Sequence, residues 1–373
     1  MSVDVRGAAP LRAGVVSLGW AGQQHMDAYA LHPDVELVAI AGLEDVPRAR
    51  LGELHGLPAS GQFRGYDEMI AQANLDVISV ATPTALHAPV ALAALAAGVH
   101  VLSEKPLAED AERGAAMVEA ARTADRVLDV SFNHRRRGDV KALKKLVDDG
   151  VLGEVYYAKA AWLRRSGIPG LGTWFTQQAL AGGGPLMDIG VHMLDMALHL
   201  MGEPSAEAVS AATYAEFGPR GRGGSSDRPT VAPGEDGTVP FEVEDLSTAF
   251  VRLSGGATLL LEASWASYIR ADELSVVLYG SEGGAVLGTP GVWNRAQLQV
   301  LTEVRGVPAE LFPVLPEDGR HREAVDDFVA KVQAPDRSAF HGEDALTRAL
   351  VVDAAYRSAR EHREVRLDPV HPR

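Results

Sequence analysis

Five short apolar runs, 13–17, 35–41, 77–81, 99–102 and 127–131, punctuate the first third of the chain. Each has the length of a buried strand. The stretches between them, 23–31, 48–54, 84–97 and 111–121, carry helical spacing. Strands alternating with helices predict βαβ units, a parallel sheet and right-handed crossovers. After about Asn133 the pattern changes. A helix over 140–149 closes at Gly150, in the position where helices end on glycine. Longer strands follow at 155–163, 208–217, 243–253, 257–266 and 273–279, two of them joined by Ser254-Gly255-Gly256. Short turns between consecutive strands predict an antiparallel sheet. The segment 218–240 is rich in Gly, Pro, Ser and Asp and reads as a long loop or lid. Helices over 321–332 and 343–361 finish the chain.

The turns of the first half carry the candidate chemistry. Ser17-Leu18-Gly19-Trp20-Ala21-Gly22 sits between the first strand and the first helix, where dinucleotide-binding folds place a glycine fingerprint. Gly19 would let the backbone approach a pyrophosphate, and Gly22 would let the helix pack closely on the strand. The helix start would supply amide donors. Ser17 stands where the first glycine is usual. His25 reads as a helix-surface histidine. At the end of the second strand an acid would bind a ribose 2′-hydroxyl. Gly42 and Leu43 occupy that place, with Glu44 and Asp45 just beyond and Arg48 the nearest base. Two acids against one distant base favour NAD, with NADP possible. Ala81-Thr82-Pro83 and His87 follow the third strand and suit dinucleotide contact, or equally a capped helix entry.

Glu104-Lys105-Pro106 follows the fourth strand. Pro106 fixes its own φ and pushes Lys105 away from helical backbone. The lysine is thereby held at a strand's carboxyl end, where open α/β sheets bind ligands. Further on, Gly182-Gly183-Gly184 leads into a helical stretch bearing Asp188 and His192. Four residues apart, these two share one face. A carboxylate and an imidazole projecting together make an acid–base pair; alone, they read as well as an Asp favoured by the helix dipole and a core histidine. Asn133 and Arg135 follow the fifth strand and face the same side. Trp162, Arg165 and Trp174 combine aromatics with cations that suit sugar faces and hydroxyls, and Tyr268 and Arg270 end a strand of the second sheet.

Composition narrows the field. The chain has 373 residues, enough for two domains with cores of their own. A net charge of −15 argues against nucleic-acid and anionic-membrane partners. With no cysteine, thiolate catalysis and cysteine metal sites are excluded. Asp188 and His192 have no third ligand cluster, so no metal is expected. No apolar leader or span is present, and a cytoplasmic location is expected.

Taken together, Gly19-Trp20-Ala21-Gly22 through His25, Ala81-Thr82-Pro83 with His87, Glu104-Lys105-Pro106, and Gly182-Gly183-Gly184 leading to Asp188-Ile189-Gly190-Val191-His192 resemble the Gfo/Idh/MocA oxidoreductases. That is the family of glucose-fructose oxidoreductase and inositol 2-dehydrogenase. The resemblance implies an α/β Rossmann domain over 10–132. It implies an α+β domain over 133–368 with a large, mostly antiparallel sheet that pairs chains into a homodimer or homotetramer. It implies hydride transfer between a nicotinamide and a secondary alcohol of a sugar or polyol. By the same resemblance Lys105, Asp188 and His192 form the catalytic group. His192 would take the hydroxyl proton, Lys105 would favour alkoxide charge, and Asp188 would pair with Lys105 or orient the substrate. Gly19, Trp20, Ala21, Gly22, Gly42, Leu43, Ala81, Thr82, Pro83, His87, Glu104, Lys105 and Asn133 would hold the cofactor. Arg135, Trp162, Arg165 and Trp174 would join Lys105, Asp188 and His192 around the substrate. Two other readings remain open at this point: a redox-assisted glycosidase, which would retain its cofactor and release an aglycone, and a non-catalytic dinucleotide sensor.

Overall fold

A computed structural model describes residues 9–226, 230–231, 239–288 and 298–367. In chain order the first unit runs β1 (Leu11–Val16), α1 (Trp20–Leu31), β2 (Val35–Ala41), α2 (Asp45–Leu54), β3 (Gln62–Phe63), α3 (Tyr66–Gln72), β4 (Val77–Val80), α4 (His87–Ala96), β5 (His100–Ser103), α5 (Ala111–Ala124) and β6 (Leu128–Val130). The six strands pair in the order β3-β2-β1-β4-β5-β6, all parallel. Every residue of β4 and β5 is buried, as a parallel sheet covered on both faces requires. Local chemistry sets the helix ends. Asp110, for example, caps α5 by accepting the Arg113 backbone N–H at 2.8 Å. The strand order reverses between β1 and β4, so a crevice opens at their carboxyl ends.

The second unit runs α6 (Gly138–Asp148), β7 (Val155–Leu163), α7 (Gln178–Ala181), α8 (Val191–Leu200), β8 (Ala206–Tyr214), β9 (Leu246–Leu253), β10 (Thr258–Ser264), β11 (Glu273–Gly280), β12 (Gly283–Leu287), β13 (Leu298–Val304), β14 (Val307–Leu311), α9 (Arg320–Gln333), α10 (Glu343–Glu361) and β15 (Val365–Arg366). Among the described residues its nine strands pair as β14-β13-β12-β11-β7-β10-β9-β8-β15. All neighbours are antiparallel except β10 and β7. One face is buried under α6, α8 and α10 through Leu143, Met193, Leu194 and Val351. On the other face Tyr157, Phe250, Leu260 and Val277 are only partly covered.

The chain does not stay within the second unit. α9 returns to the first sheet and packs Val325, Phe328 and Val329 against Val15, Met26 and Tyr29. This brings the start of α9 to the crevice. The long loop read at 218–240 is described only in part. Its residue 224 bridges to Ile168, and Val231 donates its N–H to Leu171 O at 2.8 Å.

Candidate active site

Between the two sheets lies a cleft of about 760 Å³. Its floor is built by Lys105, two residues after β5, and by the helical stretch that follows the triple glycine. Lys105 Nζ donates to Asp188 Oδ1 at 2.9 Å and to the Asp188 backbone oxygen at 2.7 Å. Asp188 lies in a π-turn, Leu186–Gly190, that leads into α8. A wide turn of this kind loosens the regular carbonyl ladder, and one carbonyl there serves the lysine. Asp188 Oδ2 accepts from Trp265 Nε1 at 3.0 Å. Both carboxylate oxygens are thus occupied. Burial pushes this carboxyl up, but the Lys105 ammonium, Arg164 and the two hydrogen bonds outweigh it, so Asp188 ionises below the usual carboxylate range.

The triple glycine is needed for close approach. A Cβ at Gly184 would meet the Glu244 carbonyl oxygen at 2.1 Å. The buried Glu244 carboxylate accepts the Gly184 and Leu186 N–H groups at 2.9 and 3.1 Å, and Tyr356 donates to it at 2.9 Å. This anchors the turn that presents Asp188.

His192 lines the same cleft. Its ring lies 4.5 Å from that of His134 and 6.0 Å from that of Trp162. His192 Nδ1 is buried and has no hydrogen-bond partner. Burial, with Lys105 and His134 nearby, drives its pKa well below the ordinary 6.5. His134 is pushed down to about 3, by burial first and then by Arg137 and Lys105. Both imidazoles are neutral near pH 7.

Glu104 anchors the other side of the lysine. Its carboxylate accepts from His25 Nε2 at 3.1 Å and lies 3.7 Å from His321 Nε2, and it accepts the Lys105 N–H at 3.3 Å. His25 Nδ1 in turn meets Ser79 Oγ at 2.9 Å, and Tyr29 OH meets the same oxygen at 2.9 Å. Burial opposes ionisation of Glu104, yet the two histidines and Lys105 bring its pKa down to about 2.

The dinucleotide turn takes the shape the fingerprint requires. Ser17 sits at φ +125°, a conformation that favours glycine, and its Oγ accepts the Gly19 N–H at 3.2 Å. A Cβ on Gly22 would meet the Ser17 carbonyl oxygen at 2.4 Å. Trp20 is 68% exposed and stands edge-on to His321. Gly19, Trp20, Ala21, Ala81, Thr82, Pro83, Glu104, Lys105 and Asn133 all line the cleft. Thr82 Oγ1 and Asn133 Oδ1 are buried there without a partner. A tight turn, a helix start and unpaired polar atoms along one wall fit a nicotinamide dinucleotide.

Several expected residues lie elsewhere. His87 is buried, and its Nδ1 and Nε2 meet the backbone oxygens of Pro106 and Thr82 at 2.7 and 3.0 Å. It ties two cleft loops together and has no ring nitrogen left for a ligand. Arg135 turns away to pair with Asp195 and Asp344. Arg165 is exposed outside the cleft lining, near the Arg270 carbonyl. Gly42 and Leu43 lie outside the cleft lining but stand at the end of β2, the strand end where a dinucleotide fold places the adenosine ribose; Leu43 is exposed. Tyr268 packs on Phe217 instead. His25, expected on a helix surface, is fully buried because Glu104 and Ser79 satisfy both its nitrogens. Trp162 and Trp174 do line the cleft, and Trp174 stacks on Phe175 at 3.8 Å. His134, Trp265, Glu244 and His321 also belong to the site or its support, and no sequence motif marks them. Trp265 directly follows β10, which ends at Ser264, two residues short of the strand read over 257–266. His321 carries no motif at all and reaches the cleft from 188 positions beyond Asn133.

Comparison with known proteins agrees with this geometry. Residues 11–132 match the family model described as an oxidoreductase family with an NAD-binding Rossmann fold, and residues 140–286 match the GFO/IDH/MocA C-terminal domain. The chain is 32% identical over 363 residues to D-glucoside 3-dehydrogenase of Escherichia coli K12, covering 96% of this chain and 98% of that protein. The chain belongs to the Gfo/Idh/MocA oxidoreductase family. It is also 31% identical over 300 residues to levoglucosan dehydrogenase of Pseudarthrobacter phenanthrenivorans, covering 78% and 76% of the two chains. A solved levoglucosan dehydrogenase in complex with NADH and L-sorbose superposes with a TM-score of 0.82 at 26% identity, over 97% of this chain and all of that one. The first unit is therefore an NAD-binding Rossmann domain, and the chain is an oxidoreductase of this family. No helix among the described residues is long and apolar enough to cross a membrane.

Proposed function

We propose that the chain oxidises a secondary alcohol of a sugar or polyol with NAD, or runs the reverse reduction, using Lys105, Asp188 and His192. The observation that carries this reading is the Lys105–Asp188 ion pair on the floor of a cleft that His192 also lines. Relatives named D-glucoside 3-dehydrogenase, levoglucosan dehydrogenase and myo-inositol 2-dehydrogenase support the substrate class. The aromatic wall of Trp162, Trp174 and Phe175 offers flat apolar faces to the C–H surface of a sugar ring.

NAD, when bound, supplies the hydride acceptor. Residues of the dinucleotide turn would hold its pyrophosphate, while Thr82 and Asn133 would hold polar atoms nearer the reacting end. His192 accepts the hydroxyl proton. Its Nδ1 is closed off from solvent, which leaves Nε2 to exchange the proton. Lys105, held against Asp188, donates to the developing alkoxide. Asp188 fixes the ammonium in one place, and Trp265 fixes Asp188. His134 and Trp162 confine the His192 ring. The part-covered face of the nine-stranded sheet serves, in the same reading, as a contact with a second copy of the chain.

The test is a panel of glycosides, free sugars and inositols incubated with NAD, following the near-ultraviolet absorbance of reduced nicotinamide. Turnover on at least one cyclic secondary alcohol is expected. Turnover confined to primary alcohols or 2-hydroxy acids would overturn the reading.

A further inference from the structure

We propose that Arg48 and Arg64 form a binding site for the 2′-phosphate of NADP, with Asp45 holding both arginines when the ribose is not phosphorylated. The chain then takes either cofactor. This rests on reading the carboxyl end of the first sheet as the dinucleotide site.

Two strands end side by side here. Ala41 at the end of β2 pairs with Phe63 at the end of β3, and Gly42 donates its N–H to Phe63 O at 3.1 Å. The next residue after β3 is Arg64. Arg48 lies in the first turn of α2 and folds back onto the strand end. Its Nη1 donates to the Gly42 carbonyl at 2.7 Å and its Nη2 to Asp45 Oδ1 at 2.6 Å. Arg64 Nη1 donates to both oxygens of Asp45, at 3.0 and 3.2 Å. Two guanidinium groups from different elements therefore converge on one carboxylate, beside the strand end where a dinucleotide fold places the adenosine ribose.

A count of nearby charges in sequence sets Glu44 and Asp45 against Arg48 alone. The folded chain adds Arg64, and both bases spend their charge on Asp45. The carboxylate that would repel a 2′-phosphate is already paired. The Arg48 side chain is 14% exposed and keeps an anchor on Gly42, so it is held in place even if it releases Asp45. Arg64 is 62% exposed, and Asp45 is the partner it would exchange. A phosphate accepts planar, paired N–H donors as a carboxylate does. It can replace Asp45 as the acceptor that the two arginines share. Without the phosphate, Asp45 keeps them from leaving two bare cations beside ribose hydroxyls. Gly42 cannot host the usual acid, because a Cβ there would meet Leu18 Cγ at 2.4 Å. An added carboxylate at Gly42 would thus disturb the phosphate turn as well as the ribose, and the informative substitutions are at the arginines and Asp45.

The experiment is calorimetric titration of the full chain with NAD and with NADP, for wild type, Arg64→Gln, the double variant Arg48→Gln/Arg64→Gln, and Asp45→Asn. The wild type is expected to bind the two cofactors with dissociation constants within about tenfold of each other, and the double variant to lose about tenfold or more for NADP alone. Arg64→Gln changes an exposed side chain and keeps the test clear of folding defects; it should shift the NADP constant in the same direction and leave NAD unmoved. Asp45→Asn should tighten NADP. Equal losses for both cofactors in the arginine variants would overturn the site. So would NAD binding by a wild type that shows none for NADP, which leaves the dehydrogenase reading intact. Failure to bind either cofactor would overturn both.

Discussion

His192 meets the cleft as a neutral imidazole without a carboxylate partner, which is unusual for a residue asked to take a proton. Its setting explains how it can. The base must be unprotonated at the start of alcohol oxidation, and burial beside the Lys105 ammonium and His134 keeps it so. The sign of the pH effect follows. A folded value below 6.5 means that the neutral base persists as the pH falls through 6.5 and is lost only lower. The acid limb of kcat/KM for oxidation should therefore lie below that of free histidine. A pH–rate profile with its acid limb at or above 6.5 would assign the limb to another group. At this scale the sequence was informative for Lys105, Asp188 and His192, because short spacing or a neighbouring proline fixes where each stands. It was uninformative for Arg135 and Arg165. A guanidinium reaches far, and its choice between cleft, partner carboxylate and solvent is made by residues such as Asp195 and Asp344 that lie distant in sequence.

Among the elements, the turn after β5 is held from both sides, by Glu104 beneath and Asp188 above. Glu104 belongs to the first unit, yet one of its two imidazole neighbours, His321, comes from α9. Its folded pKa of about 2 lies below the ordinary 4.5, so the stability it contributes is full above 4.5 and is lost as the pH falls toward 2. Glu104→Gln should lower Tm at about pH 7, and the gap to wild type should narrow at about pH 3. Calorimetric scans at the two pH values check this; a gap that stays constant or widens in acid would show that the charge of Glu104 is not what holds the turn. Helices and long strands were legible from their period: α10 and β7 run as the pattern predicts. The two-residue strands β3 and β15 were not, since two residues carry no period. The long helix expected through Asp188 begins instead as a π-turn, just after the close approach of Gly184 to Glu244, and spacing alone does not reveal it.

For the whole molecule, the division into a parallel and a mostly antiparallel sheet was readable from loop length and strand length. The return of α9 to the first sheet was not, because an amphipathic helix shows that it has a buried face and not which sheet covers it. The open face of the second sheet carries Tyr157 stacked on Tyr279, with Leu260 paired across to Phe250 on one side and Lys159 on the other. A contact between copies over this face would bury these side chains. Leu260→Lys places a charge at its middle and should shift the chain toward monomer in light scattering, with cofactor affinity unchanged; an unaltered mass for a wild-type oligomer would remove this face from the assembly.

The claim on which the account turns is that His192 moves the proton in the Lys105–Asp188 cleft. The direct measurement is single-turnover formation of reduced nicotinamide by His192→Ala, on the best substrate from the panel, beside the NAD dissociation constant of the same variant. The account predicts a rate lowered roughly 10²-fold or more with cofactor affinity held within about twofold. A variant that reduces NAD at the wild-type rate, or whose loss is wholly one of cofactor affinity, would contradict it.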